Sequence, residues 1–366
     1  MEKPVKVLEM IGALNFGGSQ AMIVNLCKHM NKENVQCDFI VDHPEYMGMA
    51  PIVEEMGSKI YIMPTFRGTN LKEVKAAWNH FFLEHPDYQI LHSHSRSYAS
   101  VYLPIAKKYG LKTIVHSHNT SNGKGIVALI KNILQYPLRK RADYFIGCSK
   151  EAGLWLFGEK IVNGNKFFVL NNAIDTDRFT YDEDIRNEYR ENFHLKDEKV
   201  FIQIGRLSEQ KNYLFTLKIF NKYLENDKDA RLFIVGNGDL KNAIINKINE
   251  YNIADKVVML EGRSDVNNLL QMADVFLMPS LFEGLSVAAV EAQASGIRCL
   301  LSDKCNPDVN ITGLCEFLPL KEDVWVNKMS EDLSLREYTK DRIIEAGFDV
   351  NTTALWLEDF YQTIVE

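Results

Sequence analysis

Two glutamates eight positions apart, Glu283 and Glu291, bracket a run of small residues that begins Gly284-Leu285-Ser286-Val287. The apolar run at 275–278 reads as a buried strand, and the Ala- and Val-rich stretch after Ser286 reads as a packed helix. Where a strand ends and a helix begins, the first backbone N–H groups have no helical partner and form an anion site. One carboxylate stands just before that site and the other two turns beyond it. A nucleoside diphosphate suits this arrangement. Its phosphates would meet Gly284, Leu285, Ser286 and Val287, its ribose diol Glu291, and Glu283 would face the group that the diphosphate carries.

Further cations and glycines join this set. Arg206 and Lys211 follow another apolar run, at 200–204, just after Gly205. Two cations there could neutralise a departing diphosphate as its bond to the carried group breaks. Near the start, Phe16-Gly17-Gly18-Ser19 falls between the first strand and the first helix. It is not the GxGxxG fingerprint, which argues against a dinucleotide oxidoreductase. Adjacent glycines let a backbone approach a phosphate or a sugar, although a plain βα turn is the simpler reading of Gly17 and Gly18 taken alone.

Four of the nine histidines form two H-x-H pairs, His92/His94 and His116/His118, each at the end of an expected strand. Strand alternation puts both members of a pair on one side, and paired imidazoles suit zinc. No carboxylate or cysteine lies nearby at ligand spacing, so no metal is expected here. The position after Gly236, where a metal-binding carboxylate would serve a diphosphate, is Asn237. Asp175 and Asp177 have the DxD spacing but fall in a polar stretch between the halves. Activity is therefore expected to survive chelation, with no cofactor.

These residues need a scaffold. Short apolar runs alternate with amphipathic ones, the pattern of parallel sheets flanked by helices. Strands are expected at 5–10, 37–41, 59–63, 88–92, 113–116, 144–147 and 167–170, then at 200–204, 232–235, 257–260, 275–278, 299–301 and 315–318. The charge-rich segment 171–199 separates two doubly wound α/β domains, 1–171 and 172–348, whose strand ends would face a shared cleft. The remainder, 349–366, reads as a helix carrying Trp356, Phe360 and Ile364. A length of 366 residues fits two cores. A net charge of −7 argues against nucleic acid as a partner. The six cysteines lack CxxC spacing and read as reduced, buried residues. With no signal-like leader at the start, a cytoplasmic location is expected.

With these segments quoted, the chain resembles the retaining GT-B glycosyltransferases of the glycogen-synthase-like group, glycosyltransferase family 4. The glutamate pair matches theirs, as does Gly205-Arg206-Leu207-Ser208-Glu209-Gln210-Lys211-Asn212 with their donor-phosphate segment. Asn172 to Phe179, Ile234-Val235-Gly236-Asn237-Gly238 and Leu260-Glu261-Gly262-Arg263-Ser264-Asp265-Val266 follow in the family's order. Ser286, Arg298 and Asn172-Ala173 depart from its usual residues. The resemblance implies two Rossmann-like domains, acceptor-binding then donor-binding, with the last helix crossing back to the first domain.

It implies retaining transfer of a hexose from a nucleoside diphosphate sugar, taken as a UDP-sugar, to an acceptor hydroxyl. Cell-surface polysaccharide synthesis on a saccharide or lipid-linked saccharide is the expected setting. Glu283, Arg206, Lys211 and His118 would be catalytic. Gly17, Gly18, Gly205, Asn237, Arg263, Gly284, Leu285, Ser286, Val287 and Glu291 would bind the donor. His94 and Arg96 would line the acceptor side, with His92 and His116 packed behind. Rival readings are a GT-B epimerase or phosphorylase, a solute-binding protein, and a sugar-nucleotide binder without turnover. The basic-ended segment 126–141 reads first as a core-facing helix of a βα unit. The alternative is contact with the inner face of the cell membrane.

Overall fold

The computed structural model describes residues 3–15, 18–96, 98–118, 126–332 and 335–366. It divides into two compact units, one of residues 1–173 with 350–366, the other of 174–349.

The first unit is a seven-stranded sheet of β1 (Val5–Gly12), β2 (Val35–Val41), β3 (Ile60–Ile62), β4 (Ile90–Ser93), β5 (Lys112–Ser117), β6 (Tyr144–Gly147) and β7 (Phe167–Val169). Their order is β3-β2-β1-β4-β5-β6-β7. Every pairing is parallel. Helices cover both faces, so central strands bury both sets of side chains and read as unbroken apolar runs. One face packs Val7, Ile23, Leu26 and Phe39 against Leu357, Tyr361 and Ile364 of the helix Val350–Val365. The other packs Leu8, Leu91 and Val115 against Trp78, Phe82 and Tyr102.

The second unit repeats the plan with β8 (Val200–Ile204), β9 (Arg231–Val235), β10 (Val257–Leu260), β11 (Val275–Met278), β12 (Arg298–Ser302) and β13 (Cys315–Leu318). Their order is β10-β9-β8-β11-β12-β13, again all parallel. In both sheets the chain reverses its direction of progress at one place, between β1 and β4 and between β8 and β11. Ligands of open α/β sheets bind outside the strand ends at such switch points. The expected two-domain doubly wound class is what the structure has. All six cysteines are buried and unbridged.

The segment expected to be one core-facing helix is two, Ile126–Gln135 and Leu138–Arg141, with Pro137 between them. Proline cannot continue a helix that needs its N–H. Leu129, Ile130, Ile133, Leu134 and Tyr136 are exposed, so the core-facing expectation is wrong for these residues. Among the described side chains of this region only Gln135 and Leu138 are buried.

Candidate active site

In the second unit the site grows from the ends of β8 and β11. Gln203, buried on β8, donates from Nε2 to the Lys211 carbonyl at 2.7 Å and accepts from Thr216 Oγ1 at 2.6 Å. This holds the short 3₁₀ turn Glu209–Lys211 above the strand end. Asn212 follows with φ +57° and donates to the Pro279 carbonyl at 3.0 Å, and Leu281 N donates to the Gln210 carbonyl at 2.8 Å. The turn is thereby stitched to the loop that carries Glu283.

Lys211 Nζ then reaches Glu283 Oε2 at 2.7 Å, while Gln210 Nε2 lies 3.4 Å from Glu283 Oε1. Arg206 stands exposed at the same strand end. Gly236, at the end of β9, has φ +148°, and a Cβ there would stand 2.0 Å from the Gly205 carbonyl oxygen. Only glycine allows these two strand ends to touch backbone to backbone. Asn237 is exposed beside it, its carbonyl accepting from Leu207 N at 2.9 Å.

Beyond Glu283, residues 284–286 lead into the helix Val287–Ala294, with Ser286 at its N-cap. No side-chain oxygen of Ser286 caps it; Ala289 N turns back to the Ser286 carbonyl at 3.1 Å, and the positive end of the helix dipole at this start favours an anion. Glu291 lies on this helix, half-buried, and burial pushes its carboxyl up to about 8 against the opposing charge of Arg178. The structure thus brings Gly205, Arg206, Lys211, Glu283 and the start of the Glu291 helix to adjoining strand ends. Arg263 forks its guanidinium onto Asp265, with Nε 2.7 Å from Oδ1, and Asp265 also accepts from Tyr189. Arg298 lies at the start of β12, bound to Glu316 and Glu331, away from these strand ends. Asp175 caps the helix Thr176–Phe179 and Asp177 pairs with Lys340.

In the first unit the two H-x-H pairs meet. Ring centroids are 4.2 Å apart for His92 and His94, 4.0 Å for His116 and His118, and 5.1 Å for His94 and His118. The expectation that no carboxylate lies nearby fails. Glu9 of β1, fully buried, pairs in register with His92 across the switch point and places Oε2 2.8 Å from His94 Nε2. Tyr361, from the helix Val350–Val365, donates to Glu9 Oε1 at 2.8 Å and lies 2.6 Å from His92 Nδ1. Burial would raise the Glu9 carboxyl, but the charge and hydrogen bonds of His92 and His94 outweigh it and hold the group well below the usual carboxylate range.

The tautomers follow from this. A carboxylate only accepts, so Tyr361 spends its proton on Glu9 and His92 donates from Nδ1 to the tyrosine. His94 donates from Nε2 to Glu9, so its Nδ1 accepts from His118 Nε2 at 2.8 Å. Burial holds His94 down at about 4, and holds His116 and His118 well below the usual imidazole range. His94 therefore acts on His118 directly, beyond the acceptor-side role expected of it. Arg96 packs its guanidinium over the Trp155 ring, 5.1 Å from the centroid. Gly18 opens the helix Gly18–His29 with open space where a Cβ would be, and Gly17 lies outside the described residues. Sequence reasoning missed Glu9 and Tyr361. A lone acid inside the apolar strand Val-Leu-Glu-Met-Ile was the available signal for the first.

The family model Glycosyltransferase Family 4 matches residues 16–178, and Glycosyl transferases group 1 matches 184–315. A putative glycosyltransferase, EpsF of Bacillus subtilis, is 26% identical over 99% of this chain and 97% of its own length. An Escherichia coli enzyme, UDP-Gal:alpha-D-GlcNAc-diphosphoundecaprenol alpha-1,3-galactosyltransferase, is 29% identical over 60% of this chain and 59% of its own. Among solved structures, HepE of Anabaena in complex with UDP superposes with a TM-score of 0.80 at 12% identity, covering 98% of this chain and all of that one. At that identity the likeness shows the fold, and the fold is GT-B. The chain belongs to the GT-B glycosyltransferases, a family 4 segment followed by a group 1 segment.

Proposed function

We propose that the chain transfers a hexose from a UDP-sugar to an acceptor hydroxyl with retention of anomeric configuration, in the assembly of a cell-surface polysaccharide on a lipid-linked acceptor. The observation that carries this reading is the Lys211–Glu283 pair at the strand ends beside the start of the Glu291 helix. The donor diphosphate would take over Lys211, with Arg206 and the helix N–H groups sharing its charge, and Glu291 would hold the ribose. Charge that builds on the leaving diphosphate is then met by fixed cations and dipoles. The leaving phosphate could itself accept the acceptor's proton in a front-face displacement. This donor chemistry calls for no divalent ion beside the phosphates, since Asn237 stands where a carboxylate ligand would be and Asp175 and Asp177 serve other contacts.

Support for the donor and acceptor classes comes from relatives. HepE has been solved with UDP-glucose, and the E. coli relative's name specifies UDP-Gal and a diphosphoundecaprenol acceptor. The exposed apolar face of the helix Ile126–Gln135, next to Lys131, Arg139, Lys140 and Arg141, suits an anionic membrane surface where such acceptors reside. No helix among the described residues is long and apolar enough to cross a membrane.

The test is a binding screen of UDP-, GDP-, ADP- and CDP-sugars, then turnover of the best donor with lipid-linked saccharide acceptors and NMR of the product anomer. A UDP-sugar should bind best and give a retained linkage. Tight binding without turnover across the acceptors would overturn the transferase reading, and an inverted product would overturn retention.

A further inference from the structure

The histidine cluster of the first unit is more elaborate than one proton-transfer residue needs. His116 is fully buried, and neither of its ring nitrogens has a hydrogen-bond partner; His92 Nε2 is also buried without one. Buried polar atoms left in this state cost about 1–3 kcal/mol each, so two neighbouring rings imply something that satisfies them. His92 spends Nδ1 on Tyr361, which leaves its Nε2 without a partner, and His94 spends Nε2 on Glu9 while its Nδ1 accepts from His118, a bond that a metal ion would have to displace.

One ligand nitrogen from each of His92, His94 and His116 lies within 4.8 Å of the others. Ligands on a tetrahedral zinc stand about 3.4 Å apart, so the three rings would have to draw together on binding. We propose that His92, His94 and His116 bind one zinc-class divalent transition ion, with Glu9 and Tyr361 orienting the ligands.

The chemistry favours this metal class. Three imidazole nitrogens suit zinc or its neighbours in the first transition row and are poor ligands for magnesium or calcium. An H-x-H pair on one strand with a third histidine on the adjacent strand supplies three corners of a tetrahedron, which leaves the fourth for water or His118. Glu9 behind His94, and behind Tyr361 and His92, supplies the carboxylate that fixes ring tautomers in metal sites and raises ligand basicity. The neighbouring group of Glu9, Cys27 and Cys37 is the weaker alternative. Burial and the adjacent acid raise the Cys27 thiol well above its usual range, so it stays protonated. An ion at the histidines would draw His94 Nδ1 away from His118, so metal loading would reset His118 within this unit. The proposed ligands all belong to the first unit, and the proposal does not depend on the transfer reading.

The experiment is a Co²⁺ titration of the full chain after stripping with chelator, followed by visible absorption, with Zn²⁺ competition. A tetrahedral cobalt band saturating at one equivalent and lost to Zn²⁺ is expected. Zn²⁺ should raise the Tm while Mg²⁺ leaves it unchanged. His116→Ala should abolish the band, and Glu9→Gln should weaken affinity about 10- to 100-fold. Should His116→Ala lack a native far-UV spectrum, His92→Asn takes its place with the same expected loss. A wild-type chain showing neither band nor zinc-induced Tm shift would overturn the site. So would an undiminished band in the folded histidine variant, which would place the ion elsewhere on the chain.

Discussion

Lys211 Nζ and Glu283 Oε2 stand 2.7 Å apart, each side chain only 14% exposed, joining the turn after β8 to the loop after β11. The pair ties a proposed donor cation to a proposed catalytic carboxylate before any substrate arrives. On the proposed reading, an arriving diphosphate would compete for Lys211 and release Glu283 toward the sugar.

Replacing this cation should therefore have two effects. Lys211→Ala should slow transfer by about 2–4 kcal/mol of barrier, through loss of a charge-assisted contact to the leaving diphosphate. It should also lower Tm, because Glu283 loses its partner in a mostly buried setting. Arg206→Ala should slow transfer comparably with little change in Tm, since Arg206 is exposed. Steady-state kinetics beside thermal melts check this, and wild-type rates in both variants would remove the clamp assignment.

The two glutamates should fail differently. Glu283→Gln should chiefly lower kcat, because its charge faces the reacting sugar, whereas Glu291→Gln should chiefly raise the donor KM. Kinetics at saturating acceptor separate the two, and matching losses in both parameters would mean the roles are misassigned.

Glu291 also predicts a pH slope. Its carboxyl, at 4.5 ordinarily, is raised to about 8 in the fold by burial. Between those values the folded chain holds a proton that the unfolded chain has released, so this group's contribution falls as pH rises from about 5 to 8. Urea melts across that window should show the decline, and Glu291→Gln should flatten it. An identical slope in the variant would assign the effect to other groups.

Tyr361→Phe removes the hydroxyl that serves both Glu9 and His92. A loss of about 1–3 kcal/mol in urea unfolding is expected, the cost of leaving buried partners incompletely bonded. An unchanged unfolding midpoint would mean the Glu9 network does not depend on the tyrosine.

The exposed face of the helix Ile126–Gln135 makes a separate prediction. Ile130→Glu with Ile133→Glu should reduce sedimentation with vesicles containing anionic phosphatidylglycerol, while turnover of a water-soluble acceptor is unaffected. Equal vesicle binding by wild type and variant would remove the membrane proposal.

The strands were legible because sheets covered on both faces write themselves as apolar runs; 200–204, 257–260 and 275–278 match β8, β10 and β11 residue for residue. The phosphate-side residues were legible because glycine and cations at strand ends have local meaning. The Glu9–Tyr361 bond was not, since it joins positions 352 residues apart and no local pattern carries such a pairing. Amphipathicity at 126–135 gave the helix but misled about its environment, because an apolar stripe has the same spacing whether it meets a core or faces outward. Arg263 was placed with the donor by the resemblance of its segment, and the neighbour it forks onto in the fold, Asp265, stands two residues on.

The helix Val350–Val365 belongs to the same core as β1 and the helix Gly18–His29. The first unit is thus assembled from segments that leave the ribosome before and after residues 174–349. Residues 174–349 can close their own two cores while the first sheet still lacks one of its covering helices. Until Leu357, Tyr361 and Ile364 emerge, that sheet face stays uncovered, at about 1.5–3 kcal/mol of unburied side chain apiece. Cotranslational folding should therefore finish out of order, with the later-made unit complete first. A premature stop near residue 350 should send the earlier-made unit, rather than the one adjoining the stop, to proteolysis.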